Sequence, residues 1–164
     1  MSEFVGRTLE LLAEHKNGFT SAVKNIFNTR TMATLKISDL SVGDWIHHDF
    51  YEAEMRVITI FGDTERIVAE SNSGHGVTCH LDHFSPIPLT PEILAENGFI
   101  KNGEYNEWST GNWEDIPFIG ISLSRQSMRI KNLGTDIFLE NKEVYVHQLQ
   151  NALRLAGVEK EINL

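Results

Sequence analysis

The residues best suited to chemistry lie in the segment 75–83, which holds a cysteine and three histidines. Thiolate and imidazole are preferred zinc ligands, so Cys79, His80 and His83 form a candidate metal site. The alternating pattern of 77–81 predicts a strand, however, in which Cys79 and His80 would point to opposite faces. The segment also lacks the paired ligand spacing of structural zinc sites. We therefore expect a buried Cys79 beside solvated histidines, with no metal and no other cofactor.

Catalytic signatures are scarce in the rest of the sequence. Carboxylates at 49–54 and at Glu114 and Asp115 have polar neighbours, whereas a general acid usually needs an apolar pocket. The sequence contains no phosphate-binding loop, nucleophile elbow or dinucleotide fingerprint. We predict that the protein is not an enzyme. The alternative is a small metal-dependent enzyme that uses the histidines near residue 80.

A helix predicted from about 142 to 156 carries polar residues along one face. They are spaced at i, i+3, i+4 and i+7: His147, Gln150, Asn151 and Arg154. Amide side chains both donate and accept hydrogen bonds, so this stripe is a candidate binding surface for a polar ligand or a backbone edge. The structural interpretation is that the stripe bonds loops of its own domain, such as the linker 85–90. We favour it, because most side-chain hydrogen bonds serve the fold or solvent.

Aromatic residues are concentrated in 105–113, among acidic neighbours. Clustered aromatics can form the hot spot of a protein interface, which makes Trp108 and Trp113 candidate binding residues. Stacking on single-stranded nucleic acid would require basic neighbours instead. The simpler interpretation is that at least one tryptophan anchors the core beneath a long loop.

The positions of apolar residues and of turn signals divide the chain into three regions. We predict that 1–31 form two short amphipathic helices and that 32–88 form an antiparallel, barrel-like β lobe. We predict that 89–164 form an α+β lobe that ends in a helix. The string Leu-Ser-Val-Gly-Asp at 40–44 is a common opening of small SH3-like barrels. The predicted fold class is therefore α+β, with a curled SH3-like sheet preceded by a helical segment.

Both predicted helices of the last region have recognisable ends. In the first helix Thr90 is the predicted N-cap, Pro91 the first helical residue, and Glu92 faces the positive end of the helix dipole. Asn97-Gly98 ends that helix. Gly157 ends the second. The buried stripe of the second helix is predicted to contain Val146, Leu149, Leu153 and Ala156.

Charge and composition limit the partners that the chain can bind. The formal net charge is −9, and the negative charge lies beyond residue 31, which disfavours nucleic acid and permits a basic protein surface. The single cysteine suits a reducing compartment. No apolar run is long enough to cross a membrane. We expect a soluble, cytoplasmic protein with a protein partner. The helices of 1–31 are expected to dock on their own domain, and the alternative is self-association through them.

Two strings in the second half resemble short, uncharacterized proteins of Bacteroidetes phages and prophages. They are PIPLTPEILAENGF at 86–99 and YVHQLQN at 145–151. Residues 1–31 and the tail after Asn151 depart from that group. The resemblance implies a phage-related accessory protein, acting in the host cytoplasm, and implies no activity. Together with the charge it predicts function through protein–protein interaction. The alternative is an acidic inhibitor of a host nucleic-acid-binding or defence protein.

Overall fold

A computed structural model describes residues 34–102, 107–112, 114–133, 135–140 and 143–164. The predicted helices of 1–31, their role in self-association and the position of Trp113 lie outside these ranges. Ala33–Leu164 forms one compact unit that contains two antiparallel sheets.

The first sheet has five strands in the order β4-β3-β2-β1-β5. They are β1 (Trp45–His48), β2 (Ala53–Phe61), β3 (Arg66–Ser71), β4 (Gly76–His80) and β5 (Phe84–Ser85). Strands β4 and β5 occupy opposite edges, yet only a 3₁₀ turn at Leu81–His83 connects them. Three residues span about 10 Å at most. The two edges must therefore lie close together, and the sheet is strongly curled.

A register shift in β2 between Val57 and Thr59 contributes to this curl, because a bulge bends its strand and increases the local twist. The concave side is filled by an apolar core. Its buried members are Leu35, Leu40, Ile46, Met55, Val57, Ile67, Ala69, Leu81 and Phe84.

The second sheet is a meander in which every strand pairs with its sequence neighbour, among the described residues. Its strands are β6 (Ile100–Asn102), β7 (Glu107–Ser109), β8 (Phe118–Ser122), β9 (Ser127–Asn132) and β10 (Thr135–Glu140). Helices α1 (Pro91–Glu96) and α2 (Val146–Leu155) pack with one face of this sheet into a second core. Trp45 at the start of β1 also belongs to this second core, so it links the two sheets.

Helix α1 begins and ends as the sequence predicts. The Thr90 side chain accepts a hydrogen bond from the Ile93 amide, Pro91 occupies the first turn, and Gly98 takes a φ of +69° just after the helix.

Helix α2 begins at Val146, and the predicted start near 142 is wrong. Backbone pairing explains the difference, because the Leu89 amide donates to the Val144 carbonyl and the Val146 amide donates to the Ile87 carbonyl. This pairing keeps the chain extended up to Tyr145. The predicted buried stripe is confirmed: Val146, Leu149, Leu153 and Ala156 are all at most 1% exposed.

The described part of the chain is mostly β structure with two helices, which confirms the α+β class in its broad form. Within the described residues, neither helix is long and apolar enough to cross a membrane.

Candidate functional site

The polar face of α2 lies against the loop 39–45 that leads into β1. Gln150 makes two hydrogen bonds there: its Oε1 accepts from the buried Trp45 amide at 2.8 Å, and its Nε2 donates to the Gly43 carbonyl at 3.0 Å. A glutamine amide offers both a donor and an acceptor, so one side chain satisfies two backbone groups at the point where the loop enters β1.

Arg154 and Asp44 form the buried end of this contact. Arg154 Nη1 lies 2.7 Å from Asp44 Oδ1, and the Ser41 amide donates to Asp44 Oδ2 at 2.7 Å. Asp44 is fully buried, and this desolvation raises the pKa of its carboxyl, against the lowering effects of the Ser41 amide and Arg154. The Ser41 amide and Arg154 together partly compensate the burial of an ionised Asp44.

Asn151 completes the contact by donating from Nδ2 to the Asp39 carbonyl at 2.9 Å, while its Oδ1 accepts from Ser41 Oγ at 3.2 Å. Gln150, Asn151 and Arg154 together are called the α2 clamp below. The clamp holds 39–45, whereas 85–90 contacts the start of α2 through its backbone.

His147, the fourth member of the predicted stripe, is 3% exposed and makes no clamp contact. Its ring stacks on Tyr145 with centroids 5.9 Å apart, and its Nδ1 has no hydrogen-bond partner among the described residues. Burial lowers the pKa of His147 to about 4, with a smaller opposing effect from Asp39. The ring is therefore neutral at physiological pH.

Beside the α2 clamp lies a cavity of about 720 Å³, called the cleft below. Loop 42–45, Arg56 of β2 and the C-terminal segment 157–163 form its walls. Arg56 Nη2 donates to Glu161 Oε1 at 2.8 Å, which links β2 to the C-terminal segment.

A different kind of surface forms at the end of the first sheet, where the β1–β2 and β3–β4 turns meet. Phe50 is 80% exposed and packs edge-on against Tyr51 at 5.2 Å. Tyr51 in turn contacts His48 at 4.7 Å and His75 at 5.6 Å, and His48 stacks with His83 at 6.4 Å. These five rings are called the aromatic end below.

Cys79 lies at the base of the aromatic end, with its Sγ 3.6 Å from His48 Nε2. The Phe50 and Tyr51 amides both donate to His48 Nδ1, at 3.2 and 3.3 Å. These bonds assign the proton of the neutral ring to Nε2, which then donates to the sulfur. Burial also lowers the pKa of His48. In this tautomer Nε2 cannot accept the thiol proton, so the arrangement is not that of a cysteine nucleophile with its base.

The three candidate metal ligands are not brought together. Cys79 faces His48, whereas His80 Nδ1 lies 3.0 Å from Asp82 Oδ1. His83 Nε2 lies 3.8 Å from the same Asp82 oxygen, so both histidines turn to Asp82 and not to Cys79. Among the described residues, no group of three or more histidine, cysteine, aspartate or glutamate side chains is placed to hold a metal ion.

Trp108, a candidate binding residue, is 7% exposed and belongs to the second core. Its indole Nε1 has no hydrogen-bond partner among the described residues. Its position is that of a core anchor. Trp113, the other candidate of that segment, lies outside the described residues.

Sequence reasoning missed the aromatic end and the cleft. Phe50 and Tyr51 occupy a short turn without periodicity, and the other three rings of this surface come from 48, 75 and 83. Arg56 is an isolated basic residue in a strand, and nothing local indicates that it approaches the end of the chain. One usable signal was present: two adjacent aromatics in a turn cannot both be buried beneath it.

Comparison with protein-family models, with curated proteins and with solved structures found no match to this chain. The resemblance to phage proteins therefore stays a prediction.

Proposed function

We propose that this protein acts without catalysis, by binding a protein partner through the aromatic end of the first sheet. The observation that carries the proposal is the exposure of two neighbouring aromatic rings, Phe50 at 80% and Tyr51 at 49%, on a rigid turn. Aromatic side chains supply large contact area for little loss of conformational freedom, and they dominate the hot spots of interfaces.

The charges around the aromatic end favour a basic partner. Asp49 and Glu52 are exposed on the β1–β2 turn and Asp82 on the 3₁₀ turn that carries His83, and the whole chain carries a net charge of −9. Arginine and lysine side chains can pair with these carboxylates and also bind the faces of the Phe50 and Tyr51 rings. Nucleic acid would be repelled by the same charges.

The turn itself is pre-organised for such contact. The Phe50 and Tyr51 amides are bonded to buried His48, and Asp49 Oδ1 accepts from Ser85 Oγ at 2.7 Å. A turn held in this way loses little further entropy on binding, so more of the contact energy becomes affinity.

The same proposal includes the finer assignments of fold and origin. We infer an SH3-like arrangement for 32–88, supported by the Val-Gly-Asp opening at 42–44, the φ of +92° at Gly43 and the curled five-stranded sheet. A phage-related accessory role in the host cytoplasm rests on the resemblance of 86–99 and 145–151. In one form of this proposal the partner is a host nucleic-acid-binding or defence protein. The chain would then inhibit that protein by covering the basic surface with which it binds its own ligand.

The test places a photo-crosslinking amino acid at position 50 and, as a matched control, at Leu155, which is also well exposed but lies on α2. We expect position 50 to capture a basic protein that position 155 does not. The captured protein is then purified, and its affinity is measured for wild type, Phe50→Ala and Leu155→Ala at two salt concentrations.

Phe50→Ala should weaken binding at least tenfold, about 1.4 kcal/mol, with wild-type affinity for Leu155→Ala and weaker binding at high salt. Equal capture from both positions, or an affinity that Phe50→Ala leaves unchanged, would contradict the proposal.

A further inference from the structure

The cleft gathers positive charge in a chain that is otherwise acidic. Arg56, Arg154 and Lys160 all line it, although the whole sequence has a net charge of −9. Cationic side chains that converge on one concave surface raise the local potential, and low-dielectric walls strengthen this effect. Glu159 and Glu161 line the cleft as well, so the protein's own carboxylates compete with any external anion for these cationic side chains.

The two guanidinium groups meet at Gly43. A Cβ atom at Gly43 would lie 3.6 Å from Arg154 Nη2 and 3.7 Å from Arg56 Nη2, so both nitrogens flank the same point in space. Like charges that flank one point repel each other, and an anion placed between them relieves that repulsion. One carboxylate or phosphate group can reach both forks.

Several donors of these two side chains remain available. Arg154 Nη1 is used by Asp44 and Asn151. Within the described ranges, the only acceptor near Nη2 is the Val42 carbonyl, at 3.5 Å. Among the described residues, Arg56 donates only to the carboxylate of Glu161. The Glu161 side chain is 75% exposed. Because an exposed ion pair is weakly held, Glu161 can exchange with an external anion.

We propose that the cleft binds a small ligand through an oxyanion, either a carboxylate or a phosphate, held between Arg56 and Arg154. Glu161 occupies the Arg56 side of this site in the free protein. The volume of about 720 Å³ falls within the range of small-molecule sites. Trp45, Val158 and Ile162 supply an apolar wall, so the ligand carries a ring or hydrocarbon portion beside its anionic group.

The probes are benzoate and phenyl phosphate, which share a ring and differ in the oxyanion, with benzyl alcohol as the neutral control. Each is titrated into the full chain at constant ionic strength, and binding is followed by NMR through the Gly43 and Arg56 amides and the Trp45 indole. We expect saturable shifts at these groups with at least one of the two anions and none with benzyl alcohol. The tighter of the two anions identifies the source as carboxylate or phosphate.

Three variants test the assignment of the donors. Arg56→Gln should weaken binding about tenfold, because it removes charge-assisted hydrogen bonds. Glu161→Gln should strengthen it, because it removes the internal competitor. Arg66→Gln makes the same charge change on β3, outside the cleft, and should bind like wild type. Equal weakening by Arg56→Gln and Arg66→Gln, or no saturable shift with either anion, would overturn the proposal.

Discussion

The α2 clamp and the aromatic end of the first sheet differ in where their side chains direct their interactions. In the clamp, Gln150 and Asn151 bond backbone groups of the loop 39–45, and Arg154 compensates the buried Asp44. At the aromatic end the polar bonds lie beneath the surface, on His48, and the rings of Phe50 and Tyr51 face solvent.

The difference shows that residue type alone is a poor guide to a binding surface. Amides and an arginine on one helix face suggest recognition, yet here three of the four hold the loop 39–45, whose Gly43 and Asp44 also pair with Val57 of β2. Aromatic residues suggest a core, yet here Phe50 and Tyr51 are exposed on a turn whose amides are bonded to His48. What separates the two cases is whether the polar groups of the surrounding backbone need a partner.

The largest effect that would sharpen this contrast is the pH dependence caused by His147. Burial lowers its pKa from the ordinary value of 6.5 to about 4. Between these values the unfolded chain binds a proton that the folded chain does not, so the free energy of unfolding should fall as the pH falls from 6.5 towards 4. The full effect of this one group amounts to about 3 kcal/mol.

Urea denaturation of wild type and His147→Leu across this pH range measures the effect. The lowered pKa of His48 acts in the same direction and remains in both proteins, while the raised pKa of Asp44 acts oppositely. The difference between the two slopes therefore isolates His147. Parallel slopes would mean that His147 binds protons equally in the folded and unfolded states, and that this part of α2 is open to solvent.

Much of the fold follows from the sequence because its signals are local. Apolar and turn residues predicted an antiparallel β lobe with a strand near 77–81, and Thr90-Pro91-Glu92 with Asn97-Gly98 predicted α1. The start of α2 was misplaced because the pairing of 87–89 with 144–146 competes with helix formation. That competition is a tertiary effect, and a helix propensity cannot report it.

The candidate sites were predicted less well, for a related reason. The periodicity of α2 identified the clamp residues, but their partner loop lies about a hundred residues earlier in the chain, and the sequence suggested 85–90 instead. The aromatic end combines residues from three separate turns. The strand pattern of 77–81 did separate Cys79 from His80, since alternation fixes the faces of a strand before any partner is known.

A second prediction tests the clamp directly. Gln150→Ala removes both partners of the buried loop, the acceptor for the Trp45 amide and the donor to the Gly43 carbonyl. It should lower the free energy of unfolding by about 1–3 kcal/mol. Asn151→Ala, on the same face but more exposed, should cost less. Urea denaturation at neutral pH compares them, and negligible losses in both would show that solvent replaces the clamp at no cost.

The smallest expected effect concerns Phe50, and it decides whether the aromatic end is a surface or a support. Phe50 is 80% exposed, and its ring touches only Tyr51 among the described aromatic rings. Phe50→Ala should therefore change the free energy of unfolding by less than about 0.5 kcal/mol, as for other exposed positions. Thermal and urea denaturation of Phe50→Ala beside Leu155→Ala, an exposed change on α2, measures this.

A loss above about 1 kcal/mol for Phe50→Ala alone would mean that the ring packs the 49–52 turn against the sheet. Its exposure would then be a by-product of folding, and the contrast with the α2 clamp would disappear.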